Sequence, residues 1–177
     1  THSAYWFDLI TVPGSLIFQG DGDSFVFRRV TDMFEFFRSK GGKINPHYWS
    51  EKLTNGRDSI KVYSSDLLKQ NIREALDAAR ESGDRPRGVV KAVREEILDS
   101  WQIDHEDSAR QLLEEFEFYA DEDDRYDLDK KPDFQFTGTY EWDLKDYDWW
   151  FLWACHAIVW GIAKYDKARK PAELATA

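Results

Sequence analysis

Residues Trp149 to Ala163 form a run in which His156 is the only polar side chain, and any fold of this chain has to accommodate it. Its fifteen residues fall short of the roughly 20 that cross a bilayer as a helix. The run is therefore expected as a central buried helix, with Tyr147, Phe151, Ala154, Ile158, Ile162 and Tyr165 along its packing face. Hiding it requires partners of similar character. Eight Trp, eight Tyr and twelve Phe supply them, so rings more than branched aliphatics are expected to fill the interior. At 177 residues the chain is expected to be one domain with one core.

Upstream, Tyr5 to Val12 is rich in aromatic and β-branched residues and runs into Pro13-Gly14, a pair suited to a type II turn. Leu16 to Phe18 and Phe25 to Arg28 complete a predicted three-stranded meander, with a Gly/Asp loop at Gln19 to Asp23. Short helices follow at Met33 to Arg38, capped by Thr31 or Asp32, and after Asn45-Pro46. Leu68, Ile72, Leu76 and Ala79 mark a longer helix that Gly83 stops. A further stripe of Val90, Val93, Ile97 and Trp101 predicts a second helix, and Leu112, Phe116 and Tyr119 a third. Phe134, Phe136 and Tyr140 read as an irregular strand able to join the N-terminal sheet. The expected class is α+β: an N-terminal antiparallel sheet packed against a helical bundle with a central aromatic C-terminal helix. Within 1–177 the division is sheet-rich 1–64, helical 65–120, an acidic loop 121–133, strand plus buried helix 134–166, and a tail 167–177.

Charge is distributed unevenly. Asp104 to Asp148 holds 17 acidic and 5 basic residues, a net of −12 against −10 for the whole chain. Such a surface repels phosphates, which argues against direct non-specific nucleic-acid binding there. The densest stretch is Asp121-Glu122-Asp123-Asp124, extended by Asp127, Asp129 and Asp133. It reads as a solubilising loop, a metal-binding loop or a lure for a basic partner. Rings at Tyr126, Tyr140, Trp142 and Tyr147 favour the lure, because aromatic anchors in an acidic field suit a basic groove. A packed core could equally consume them.

Other candidates for chemistry have plain structural readings. Asp21 and Asp23 form a D-x-D pair after an apolar strand and could hold Mg²⁺ for phosphoryl chemistry. Phe25 stands where a haloacid-dehalogenase-like site wants Thr or Val, and a Gly/Asp turn explains the pair as well. His47, His105 and His156 lie in no catalytic motif, and His156 reads as a hydrogen-bonded core residue. Arg85, Arg87, Lys91 and Arg94 are a basic cluster followed at once by Glu95 and Glu96, the pattern of a solvated helix face. One cysteine, Cys155, allows neither an internal disulfide nor a cysteine-based zinc site, and no cofactor is expected.

The segments WFDLITVPG, SFVFRRVTDMFEFFR and INPHYWSEKL near the N-terminus, and FLWACHAIVWGIAKYD near the C-terminus, resemble a family of small uncharacterised bacteriophage and prophage proteins. The resemblance covers about half the chain and brings no catalytic motif. It implies a small acidic accessory protein that binds and blocks a host machine, restriction and CRISPR effectors included. The expected function is thus a non-enzymatic inhibitor of a host nucleic-acid-handling or defence complex. Its expected partner is a protein or ribonucleoprotein with a basic surface, bound through Asp121, Glu122, Asp123, Asp124, Tyr126, Asp127, Asp129 and Trp142. The alternatives are a Mg²⁺-dependent phosphohydrolase on Asp21 and Asp23, or a virion assembly factor or scaffold. The opening THSAYWFDLI lacks a basic region followed by a long apolar run, so residence in the host cytoplasm, away from membranes, is expected. The oligomeric state stays open.

Overall fold

The computed structural model describes residues 5–38 and 40–174. In chain order the elements begin with β1 (Phe7–Val12), β2 (Ser15–Gly20), β3 (Ser24–Arg28), α1 (Met33–Phe37), α2 (Pro46–Ser50) and β4 (Lys61–Tyr63). They continue with α3 (Ser65–Ser82), α4 (Val89–Val93), α5 (Glu106–Glu115), β5 (Glu117–Phe118), β6 (Phe134–Gln135), β7 (Lys145–Tyr147) and α6 (Trp149–Leu174). The class is α+β, with the expected N-terminal three-stranded antiparallel sheet and C-terminal aromatic helix.

Contacts gather the chain into two compact units: Thr1–Val62 with Tyr147–Ala177, and Tyr63–Asp146. Each has its own buried apolar cluster, where the sequence led us to expect one core. The division also sorts the charge. The first unit holds 12 basic and 10 acidic residues, a net of +2, and the second 12 and 24, a net of −12.

In the first unit, strand alternation does the sorting. Leu16 and Phe18 of β2 and Phe25 and Phe27 of β3 point inward and are buried, while their neighbours Ile17 and Val26 are only half-buried. Gly14, at φ 82°, takes the second turn position after Pro13, and Val12 pairs with Ser15 across the hairpin. Against this face lie Phe151, Ala154, Ile158 and Ile162 of α6, with Phe25 edge-on to Phe151 at 5.4 Å between centroids. Each fully buried ring or branched side chain contributes about 2 kcal/mol. Asp148 starts α6 by accepting the Trp150 N–H at 2.7 Å. Asp32 caps α1 through the Phe34 and Glu35 N–H groups, and Asn45 caps α2 through that of Tyr48. Arg38 at the end of α1 holds Asp166 of α6 through two 2.9 Å bonds.

In the second unit, Ser64 caps α3 by accepting the Leu67 N–H, and Gly83 ends it at φ 86°. Leu68, Ile72 and Leu76 of α3, Val89 and Val93 of α4, and Ala109 and Leu113 of α5 make the core with Leu144.

Several expectations are corrected. Val90 and Trp101 do not continue the buried stripe: Trp101 is 74% exposed, and Val89 takes the inward place. The helix leaves α-geometry at Arg94–Leu98, where the Asp99 N–H reaches back five residues to the Arg94 carbonyl. Ser100 then starts a separate turn at Trp101–Asp104. Phe134 and Gln135 pair with β5 instead of the N-terminal sheet, because Phe134 and Phe136 pack with nearby Phe116. His156 is exposed, since α6 turns it away from the sheet together with Trp149 and Trp160. Tyr165 lies at the margin of the packing face, 44% exposed but edge-on to Phe34 at 5.1 Å. The expected tail is helical from residue 167 to Leu174, and the rest of it lies outside the described residues. Among the described residues, no helix is long and apolar enough to cross a membrane.

Gly22 shows how tightly the first unit closes. A Cβ there would sit 2.2 Å from the Trp150 indole, so the β2–β3 loop accepts no side chain without moving the ring. Gly22→Ala is expected to cost about 1–3 kcal/mol, read as a lower denaturant midpoint with unchanged far-ultraviolet dichroism.

Candidate functional site

The expected D-x-D site takes the form of a capped turn. Asp21 and Asp23 are both exposed; Asp21 accepts the Tyr5 N–H at 3.3 Å and Asp23 that of Ser24 at 2.8 Å. Among the described residues, no group of three or more His, Cys, Asp or Glu is arranged to hold a metal ion. Cys155 is buried against the sheet, and desolvation pushes its thiol up to about 12, which leaves it protonated and inert at neutral pH. His47 is exposed and lies 3.5 Å from the Tyr147 hydroxyl.

The acidic span lies almost wholly in the second unit, and there the structure builds a concavity. Asp121 starts a 3₁₀ turn at Glu122–Tyr126 by accepting the Asp123 N–H at 3.1 Å. This turn faces β5 on one side and the α4 and π-helical segment on the other, enclosing a groove of about 490 Å³. Glu95, Glu96, Glu117, Glu122 and Asp123 line it. Phe118, Tyr119 and Tyr126 give it aromatic walls. Only Lys91 and Arg125 bring positive charge, and both are engaged: Lys91 sits 3.7 Å from Glu95, and Arg125 donates to the Glu117 carbonyl at 3.2 Å. The Tyr119 hydroxyl donates to the Glu117 carboxylate at 3.2 Å; desolvation foremost, then that carboxylate's charge, raises the phenol above its ordinary value. Gly88, at φ 92°, opens α4 beside the Phe118 ring.

Of the eight residues expected to meet a partner, Glu122, Asp123 and Tyr126 converge on this groove, with Tyr126 84% exposed. Asp121 and Asp127 are spent on turns, Asp127 accepting the Asp129 N–H at 3.0 Å. Asp124 holds Lys130 at 2.6 Å, and that hydrogen bond raises the ammonium above its ordinary value. Asp129 is exposed away from the groove. Trp142 is half-buried, edge-on to Phe136 at 5.9 Å, and its carbonyl accepts Arg110, which also binds Glu106 and the Thr139 carbonyl. Sequence reasoning missed Glu95, Glu96, Glu117, Phe118 and Tyr119. Glu95 and Glu96 stood in plain view as the end of a basic cluster, but their place beside the acidic loop is set by tertiary packing.

Comparison with family models, with curated proteins and with solved structures finds no match to this chain.

Two outcomes follow from these environments. At about pH 8, near the ordinary thiol value, Cys155 should resist alkylation in the native protein and react only after denaturant unfolds the first unit; rapid native labelling would contradict its burial. Trp142→Ala should lower stability by about 2–3 kcal/mol, seen as an earlier unfolding transition of the second unit.

Proposed function

We propose that this chain is a phage-encoded interaction protein that binds and inhibits a host nucleic-acid-handling or defence complex, of the anti-CRISPR or anti-restriction type. It acts from the host cytoplasm, without a cofactor, by presenting the acidic second unit to a basic surface of the partner. The observation that carries this reading is the convergence of Glu122, Asp123 and Tyr126 with Glu95, Glu96 and Glu117 on one groove, in a unit of net −12. Five carboxylates facing two occupied cations leave an electronegative cleft, and three rings give it apolar walls. A Lys- or Arg-bearing segment suits both features: charge speeds the encounter, and rings supply contact and cation–π attraction. A surface that ordinarily receives phosphates carries such residues.

The test is restoration of phage growth. Expression of the chain in a host with an active CRISPR or restriction system should raise the plating efficiency of a targeted phage. Combined Glu122→Gln, Asp123→Asn and Tyr126→Ala substitutions should abolish that rise while leaving thermal stability nearly unchanged, because exposed side chains add little to the fold. With the captured target in hand, association should slow by about tenfold between low and physiological salt. No protection against any tested system, or protection that the triple variant retains in full, would remove the reading.

A further inference from the structure

The three-stranded sheet closes one of its edges and leaves the other open. Along β3 the outward backbone groups of Ser24 and Val26 and the Arg28 N–H are engaged. The Arg28 N–H donates to the Lys52 carbonyl at 2.9 Å, and the Val26 N–H to the Asn55 side-chain carbonyl at 2.7 Å. The Val26 carbonyl accepts the Thr54 N–H at 2.8 Å, and the Ser24 carbonyl accepts the Asn55 amide at 3.0 Å. Residues 52–55 therefore act as a plug on that side.

On β1 the alternation can be read from its ends. The Asp21 N–H donates to the Trp6 carbonyl, and the tight turn makes Val12 and Ser15 the last pair, so Trp6, Asp8, Ile10 and Val12 turn their backbone groups toward β2. Those of Phe7, Leu9 and Thr11 point away from the sheet, and no described residue satisfies them. The usual guards are missing as well: β1 contains no Lys, no Pro and no bulge, and Asp8 is its one charge. Ile10 is 43% exposed, and Trp160, also exposed, lies 6.0 Å from the Phe7 ring and widens the apolar surface beside the edge.

We infer that the open β1 edge is a homodimer interface, where β1 pairs antiparallel with β1 of a second copy of this chain and joins two three-stranded sheets into one. The strand is self-complementary for this. A two-fold axis through Leu9 sets Phe7 against Thr11 of the second copy, Leu9 against Leu9 and Thr11 against Phe7, and each of these pairs exchanges two backbone bonds. The same register sets Asp8 opposite Ile10 of the second copy, so the only charges on the strand never meet. The unit that carries the edge has a net of +2, and its approach to a copy of itself meets little repulsion.

Sedimentation equilibrium or light scattering of the full chain across a wide concentration range tests this. The wild type should reach twice the mass of one chain. Ile10→Glu places like charges opposite each other twice over, and should weaken the dimer by about tenfold or more. Adding Asp8→Lys to Ile10→Glu should restore it, since each pair then becomes opposite in charge. Thr11→Pro should also weaken it, because it removes an outward N–H and no backbone bond within the sheet, where the Thr11 hydroxyl's exposed 3.3 Å bond to the Ser15 carbonyl is all that is lost. A wild type that stays monomeric overturns the inference, as do Ile10→Glu and Thr11→Pro variants that dimerise like the wild type. A charge-swapped pair that fails to restore the dimer removes the register and the inference with it.

Discussion

Burial of α6 is the constraint on which the first unit depends. A helix whose first four turns are almost wholly apolar would expose many rings to water unless a matching surface covered it, and the sheet exists in the form that does so. Leu16, Phe18, Phe25 and Phe27 present a flat aromatic face, and α6 answers with Phe151, Ala154, Cys155, Ile158 and Ile162. The small residues matter as much as the large ones. Gly161 sits where a Cβ would lie 2.6 Å from Leu9, so helix and β1 approach more closely there than a side chain permits. Trp150, Trp153 and Tyr5 then fill the end of the helix with rings at roughly edge-on or tilted angles, the arrangement aromatic quadrupoles prefer.

The second unit solves a different problem, since it must fold while carrying a net of −12. Its core is mainly aliphatic, with Phe116 and Phe136 at one end, and its carboxylates stay on the surface, so their mutual repulsion is screened by water and salt. Several of them do local structural work: Asp121 and Asp127 shape turns, Asp133 accepts the Ala120 N–H at 2.8 Å, and Glu106 holds Arg110. In the groove Glu95 faces Lys91 and Glu117 accepts the Tyr119 hydroxyl, while Glu96, Glu122 and Asp123 are left facing solvent. Charge that structure already uses is a weak candidate for binding, and charge with no such duty is a stronger one; that distinction is invisible in a count of acidic residues.

Much of the first unit was legible in the sequence because its signals are local and agree with one another. Strand alternation, Pro13-Gly14, the Asp32 and Asn45 caps and the apolar run of α6 each point the same way. The second unit was legible only as far as its periodicity held. Val93 and Ile97 followed the four-residue spacing, which also puts Val89 inside and Val90 outside, and the π-helical turn then broke it and left Trp101 in water. The strand at Phe134 looks able to join the N-terminal sheet because pairing partners are not encoded locally, and its true partner β5 is two residues long with no strand signal of its own. The groove was half visible for the same reason: its acidic turn is a sequence feature, while its opposite wall depends on tertiary approach.

That opposite wall turns on one backbone detail. With regular i to i−4 bonding through Leu98, the stripe Val89, Val93, Ile97 would extend to position 101 and place the Trp101 indole toward the core. The wider bond from the Asp99 N–H to the Arg94 carbonyl absorbs an extra residue in that turn, so Ile97 stays buried while the chain beyond it changes direction. Val93 and Ile97 inside, with Glu95 and Glu96 between them, leave the two carboxylates on the solvent side of the turn, opposite the Glu122–Tyr126 segment. A π-helical turn gives up the tighter geometry of an α-helix, and this one lies beside a groove in which acidic and aromatic walls meet. The irregularity and the cleft therefore belong to the same construction: the backbone departs from its best hydrogen bonding at the point where doing so aims negative charge into the groove.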